Sequence, residues 1–336
     1  MIRKNIFTLF AIFGILSFFS CEKEVDESEA DELLRLQAYM SIHYPDLTPT
    51  PSGLYYIIYE QGSGEFPVAG NYLLFDFTAS NLDDNVFETT SKTTAFLHDI
   101  YSKKVHYAPK FYKHKEATAP MIKGLTEGFS LLREGSKARF IMPSKLAYGS
   151  YRYNGLYPYS SVIYDVDLKR IIADPEAYEL ELITTYITEN YPDSIIENLL
   201  VDGIYILENT LDEIDEEEEE LSEPIVDGDV VELYYAGRLV DNWLFDTNDK
   251  AVAEENETYD SSRKYDPIEV TVGGTGFIEG FNLALKNLST RSTVKVIIPS
   301  EFAYGIAGTE SIPPYAPLIF ELRILGKTNE TPDPAE

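Results

Sequence analysis

Three groups of residues in this sequence have side chains and spacing that suit known chemistry. His98, His106 and His114 stand eight residues apart, and imidazoles ligate metals, but no cysteine and no close histidine pair completes a ligand set. They read as solvated loop residues, and no metal site is expected. Gly274, Gly276 and Gly280 follow a strand-like run and open a helix-like one, as in turns that seat a dinucleotide on a helix N-terminus. The helical run is short, and the matching stretch earlier in the chain has Ala119-Pro120-Met121 in place of glycines, so no nucleotide cofactor is expected. The acidic run Asp212 to Glu220 lacks the oxygen-ligand spacing of a calcium loop and reads as a solvated, self-repelling loop. What remains is a set of aromatic side chains spread over several strand-like runs and one helix-like run. Such walls act by excluding water.

The chain has 336 residues, enough for two domains, and its 27 Lys plus Arg against 57 Asp plus Glu give a formal net charge of -30. So acidic a surface repels phosphate backbones, and nucleic acid is excluded as a main partner. Arg3 and Lys4 precede an apolar segment from Ile6 to Phe19, which ends at Ser20-Cys21. This reads as an export signal over 1–20. Cys21 is the only cysteine, so a disulfide within the chain is impossible, and its position resembles the acylated first residue of a bacterial lipoprotein. That resemblance implies a membrane anchor through an N-terminal lipid with no spanning helix. Glu22, Glu24, Asp26 and Glu27 suggest a solvated tether, with the protein on the outer membrane facing the periplasm or the cell surface.

The elements that must position the aromatic residues occur twice. Ile278, Phe281, Leu285 and Leu288 fall at i, i+3, i+7 and i+10, and Ile122, Leu125, Phe129 and Leu132 repeat that spacing 156 residues earlier. Each set is the apolar stripe of a short amphipathic helix. Tyr44-Pro45-Asp46 recurs as Tyr191-Pro192-Asp193, with Tyr39 and Tyr186 five residues before each, so the repeat includes a helical preface. Strand-like runs Leu54 to Tyr59 and Ile204 to Leu207 follow. Residues 66–71 then pair with 224–229, which places the acidic run inside the second copy. Alternation in Val230 to Gly237, Val294 to Ile298 and Leu318 to Leu325 predicts an antiparallel sheet with one buried face. The expected fold class is α+β. The expected order is signal 1–20, tether and helix 21–52, first domain 53–173, helical connection 174–202, second domain 203–327 with the acidic loop 212–220, and polar tail 328–336.

In the second copy YYAG at Tyr234 to Gly237, LFD at Leu244 to Asp246, GFIEGF at Gly276 to Phe281, FAYG at Phe302 to Gly305 and IPPYAPLIFEL at Ile312 to Leu322 occur in this order. The order resembles the FKBP-type peptidyl-prolyl cis-trans isomerases, the macrolide-binding immunophilins. The resemblance implies two half-barrels, each a twisted antiparallel sheet wrapped around a short helix. It also implies proline-containing polypeptides as partners, macrolides as inhibitors, and no cofactor. Carried over, the catalytic positions are Tyr235, Phe245, Asp246, Ile278, Tyr304 and Phe320, and the substrate-binding positions are Ile268, Phe277, Phe281 and Ile312. Rotation about a prolyl peptide bond must break amide conjugation, a barrier of about 18–20 kcal/mol. A twisted amide carries less separated charge than a planar one, so a dry aromatic pocket favours the transition state. In this picture Phe245, Phe281 and Phe320 hold the pyrrolidine ring, the Ile278 N–H and Tyr304 hydroxyl bond peptide carbonyls, and Asp246 is a buried carboxylate held by Tyr235.

The first copy departs further from the pattern. Phe77 stands where a tyrosine hydroxyl is expected, Phe87-Glu88 replace Phe245-Asp246, Ile122 and Leu125 match Ile278 and Phe281, Tyr148 keeps the AYG tyrosine, and Tyr164 replaces Phe320. We read this domain as degenerate, a binding or structural unit whose walls have lost their polar partners.

Overall fold

The computed structural model describes residues 27–115, 121–211 and 222–328. The signal segment, Cys21, the acidic tether residues up to Asp26, the loop 212–220 and the tail beyond Thr328 lie outside the described residues. No helix among the described residues is long and apolar enough to cross a membrane.

The first module runs α1 (Glu27–His43), β1 (Tyr55–Glu60), β2 (Tyr72–Asn81), β3 (Val86–Thr89), α2 (Lys92–Leu97), β4 (Lys110–Lys113), α3 (Lys123–Phe129), β5 (Lys137–Met142) and β6 (Val162–Ile172). The second runs α4 (Pro175–Asn190), α5 (Ile196–Leu199), β7 (Leu200–Val201), β8 (Ile204–Leu211), β9 (Val230–Leu239), β10 (Leu244–Thr247), α6 (Lys250–Glu255), β11 (Ile268–Thr271), α7 (Glu279–Lys286), β12 (Ser292–Ile298) and β13 (Leu318–Lys327). Both sheets are antiparallel. The first has the order β1-β5-β6-β2-β3 with β4 on β2; the second has β8-β12-β13-β9-β10 with β11 on β9, extended beyond β8 by the two-residue β7. The repeat seen in the helical stripe is thus a repeat of strand order.

Period-two side chains build each core. In β13, Leu318, Phe320, Leu322 and Ile324 turn to the face that carries α7, where Phe281, Ala284 and Leu285 are buried. In the first module Val162, Tyr164, Val166 and Leu168 of β6 meet Leu125 and Phe129 of α3. Close packing of α7 in the second module depends on Gly280, since a Cβ would lie 2.1 Å from the Ile298 side chain. The opposite face differs from expectation. The alternation predicted one buried face, yet Ile297 and Ile319 are buried on the other, under Ile183, Tyr186 and Ile187 of α4, and Ile141 and Ile163 are buried under Leu36 and Met40 of α1. Each preface helix therefore covers the back of the sheet that follows it. Helix α4 is fixed at its start by Asp174, whose carboxylate accepts the Ala177 N–H at 3.0 Å, with Pro175 in the first turn.

Candidate functional site

In the second module the site begins with an irregularity. Register along β10 and β9 pairs Leu244 with Arg238 but Asp246 with Gly237, so Phe245 is an extra residue in the ladder. Successive strand residues normally face opposite sides. A bulge breaks that alternation, and here the Phe245 ring meets Phe320 edge to face at 5.8 Å while Asp246 accepts the Tyr235 hydroxyl at 2.6 Å. Gly237 gives the ring its space, because a Cβ there would lie 2.5 Å from the Phe245 ring and 3.1 Å from Phe320. The first module has the same device, with Ala79 opposite Glu88 and Ser80 opposite Val86, leaving Phe87 as the extra residue.

Four rings form the body of the site. Phe281 meets Phe320 edge to face at 5.4 Å, and Tyr235 lies 6.3 Å from both. Phe281, Phe320 and Ile312 are buried, and Ile268 and Ile278 pack half-buried against the same core. The Tyr235 backbone is pinned from both sides: its N–H donates to Asn248 Oδ1 at 2.6 Å, and its carbonyl accepts the Thr247 hydroxyl at 2.6 Å. Burial, then the bond to Asp246, pushes the Tyr235 hydroxyl well above the usual tyrosine range, so it remains a proton donor to the carboxylate. Ile278 precedes the first turn of α7 as its N-cap, a place where backbone N–H groups lack helical partners.

One expectation is corrected here. Asp246 is not buried: its side chain is 38% exposed, and Arg263 Nη1 donates to its Oδ1 at 2.5 Å. Arg263 comes from the long polar segment between Asp246 and Ile268, which folds back to cover the carboxylate with a cation instead of apolar atoms. Phe277, one of the substrate-binding positions, is 37% exposed and stacks on Phe281 at 5.0 Å, which places it at the rim. Tyr304 is exposed as well.

A half-open pocket of about 810 Å³ lies on the first module. Phe77, Met121, Ile122, Leu125, Tyr148 and Tyr164 line it, with Glu88 among them, and Trp243, Pro313 and Pro314 of the second module close one side. Phe87 packs edge to face on both Tyr148 and Tyr164. The walls have exchanged polar partners instead of losing them, contrary to expectation. The Tyr148 and Tyr164 hydroxyls share a hydrogen bond of 2.6 Å, and Tyr153, stacked on Tyr148 at 4.1 Å, donates to Glu88 Oε2 at 2.9 Å. Burial first, and then neighbouring tyrosines or Glu88, pushes Tyr148 and Tyr153 far above the usual tyrosine range. Sequence reasoning had not marked Tyr153, Arg263 or Asn248.

Two of the three histidines are also corrected. His106 bridges the modules: its Nε2 lies 2.6 Å from Asp241 Oδ2 and its ring stacks on Trp243 at 4.6 Å. His114 is fully buried. His98 ends α2 as its C-cap.

A family profile described as FKBP-type peptidyl-prolyl cis-trans isomerase matches residues 63–169 and 222–325. The chain belongs to this family, and it carries the domain twice. It is 32% identical over 99 residues to the FKBP-type peptidyl-prolyl cis-trans isomerase FkpA of Escherichia coli, a match covering 30% of this chain and 31% of that protein. It is also 32% identical over 99 residues to FK506-binding protein 1B of Aspergillus fumigatus, covering 29% of this chain and 78% of the relative. The crystal structure of Escherichia coli FkpA superposes with a TM-score of 0.34 at 21% identity, over 44% of this chain and 60% of that one. The sequence match thus spans under a third of the length of FkpA.

Proposed function

We infer that the second module catalyses cis-trans isomerisation of X-Pro bonds in exported proteins, as a folding catalyst. The observation that carries this reading is the Tyr235–Asp246 bond set beside the Phe245, Phe281 and Phe320 rings. The pyrrolidine ring enters between Phe245, Phe281 and Phe320, which strip it of water. The Ile278 N–H and the Tyr304 hydroxyl bond the carbonyls on either side. As the amide twists, its charge separation falls, and the apolar walls favour that state over the planar ones. Asp246, fixed by Tyr235 and Arg263, supplies a negative edge toward the rotating carbonyl carbon. The same pocket suits a macrolide inhibitor. Phe277, Ile268 and Ile312 contact the residue before proline.

The first module, in this reading, holds proline-containing segments without turning them over efficiently. One observation favours a chaperone role for it: hydroxyls of Tyr148 and Tyr164 meet inside its pocket, so the wall opposite the amide is polar where the second module offers Phe320. We further read each sheet as a half-barrel around its short helix, and Cys21 as a lipidated anchor that places both pockets at the outer membrane, facing the periplasm or the cell surface. The experiment is an isomerase assay on the full chain with an uncharged X-Pro tetrapeptide whose X is apolar. Acceleration abolished by Phe245→Ala with Asp246→Ala supports catalysis; equal rates with and without these changes would leave the chaperone reading alone.

A further inference from the structure

The back of each sheet holds a buried carboxylate where an apolar side chain would suffice. Glu179 projects from α4, the helix whose Ile183 and Ile187 cover Ile297 and Ile319, and it is itself only 8% exposed. Its Oε1 accepts the Ser300 N–H at 2.5 Å and its Oε2 accepts the Ser300 hydroxyl at 2.7 Å. Both bonds end on the residue that starts the turn carrying Tyr304. The Ser300 carbonyl accepts the N–H groups of Ala303 at 2.9 Å and Gly305 at 2.8 Å, so Tyr304 sits between two residues tied to one carbonyl. Glu179 secures the amide end of that same residue.

The arrangement occurs twice. Glu32 of α1, also buried, accepts the Ser144 N–H and hydroxyl at 2.5 Å each and the Ser161 hydroxyl at 2.7 Å. Ser144 in turn accepts Ala147 and Gly149, the neighbours of Tyr148, at 2.8 Å each. The glutamates are 147 residues apart and the serines 156, so the clamp has survived a change of spacing between helix and turn. Burying a carboxylate costs several kcal/mol unless directed bonds compensate. Burial holds the Glu179 carboxyl above the usual carboxylate range, against the opposing pull of the Ser300 bonds.

We propose that Glu179 is a positioning residue for isomerisation: it locks the Ser300 turn and thereby sets where Tyr304 presents its hydroxyl to the substrate carbonyl. The leverage comes from the contrast between modules. Tyr148 is held at its hydroxyl by Tyr164, whereas Tyr304 stands exposed and depends on its backbone for position. This inference rests on the catalytic reading of the second module.

The test uses the full chain. Glu179→Ala lowers kcat/KM about tenfold, while Glu179→Gln, which keeps an acceptor for the Ser300 N–H and a donor for its hydroxyl, stays within about twofold. In a Tyr304→Phe background Glu179→Ala adds no further loss, the signature of two residues acting through one contact. Ile183→Ala loosens the same helix but leaves kcat/KM unchanged. Amide exchange at Ala303 and Gly305 quickens at least about tenfold in Glu179→Ala and not in Ile183→Ala, with Val296 unaffected in both. If Glu179→Ala does not fold, Ser300→Ala, which removes one of the two bonds, carries the same comparisons. Additive losses with Tyr304→Phe, or unchanged exchange at Ala303 and Gly305, would overturn the proposal. An inactive wild type would refute the catalytic reading instead, and the exchange result would still decide the clamp.

Discussion

Acidification is expected to weaken the first module through one histidine, and the structure gives the size of the effect. His114 is 0% exposed, and its Nε2 lies 3.2 Å from the Ser130 hydroxyl oxygen. That hydroxyl already donates its proton to the Thr126 carbonyl at 2.8 Å, so His114 must donate from Nε2 and leave Nδ1 as the bare nitrogen. Nδ1 is buried with no partner. A second proton there would find no acceptor in a site already closed to water. Burial, reinforced by Lys115, accordingly lowers the His114 pKa from 6.5 to about 4. Between those values the unfolded chain binds the proton and the folded chain does not, so stability is complete above pH 6.5 and falls as the pH drops toward 4. At about 1.4 kcal/mol per pH unit the loss reaches roughly 2 kcal/mol at pH 5 and about 3 kcal/mol below pH 4. Urea unfolding at pH 7 and pH 5, followed by far-UV circular dichroism, measures it as the difference between wild type and His114→Gln. Glutamine can donate to Ser130 but does not titrate, so its stability should lose roughly 2 kcal/mol less over that interval. Parallel pH dependences in the two proteins would refute the buried neutral imidazole.

Two further outcomes are expected. Tyr164→Phe removes the partner of the half-buried Tyr148 hydroxyl and should cost about 1–3 kcal/mol in urea unfolding; an unchanged midpoint would show that the hydroxyls are not paired. Radioactive palmitate should label the wild type and not Cys21→Ala, and an unlabelled wild type would contradict the lipid anchor.

What could be read from the chain alone was whatever is local and repeated. The helical stripe through Ile278, Phe281, Leu285 and Leu288 and the alternation of Leu318, Phe320, Leu322 and Ile324 follow from periods of 3.6 and 2, and both elements occur where those periods place them. The ring set of Phe245, Phe281 and Phe320 came from motif order. The rest was hidden for specific reasons. A bulge is a mismatch between two strands, and nothing in Leu244 to Asp246 by itself signals that Phe245 is the extra residue. Arg263 reaches Asp246 from 17 residues away, across an insertion with no periodic pattern. The helices α1 and α4 read as preface and connection because their apolar residues are few. Their burial depends on Ile141, Ile163, Ile297 and Ile319, the last two of which alternation had placed on a solvated face. His114 looked like a loop residue because a single histidine carries no sign of burial.

The central claim is that catalysis belongs to the second module and that its aromatic pocket with the Tyr235–Asp246 pair performs it. The most direct measurement compares X-Pro isomerisation by the full chain with that of two matched variants, Phe245→Ala with Asp246→Ala and Phe87→Ala with Glu88→Ala. The account predicts that the first pair of changes lowers kcat/KM at least about a hundredfold, as loss of both wall and carboxylate should, and that the second pair leaves it within about twofold. A rate that survives the Phe245 and Asp246 changes, or that collapses with those at Phe87 and Glu88, would contradict it.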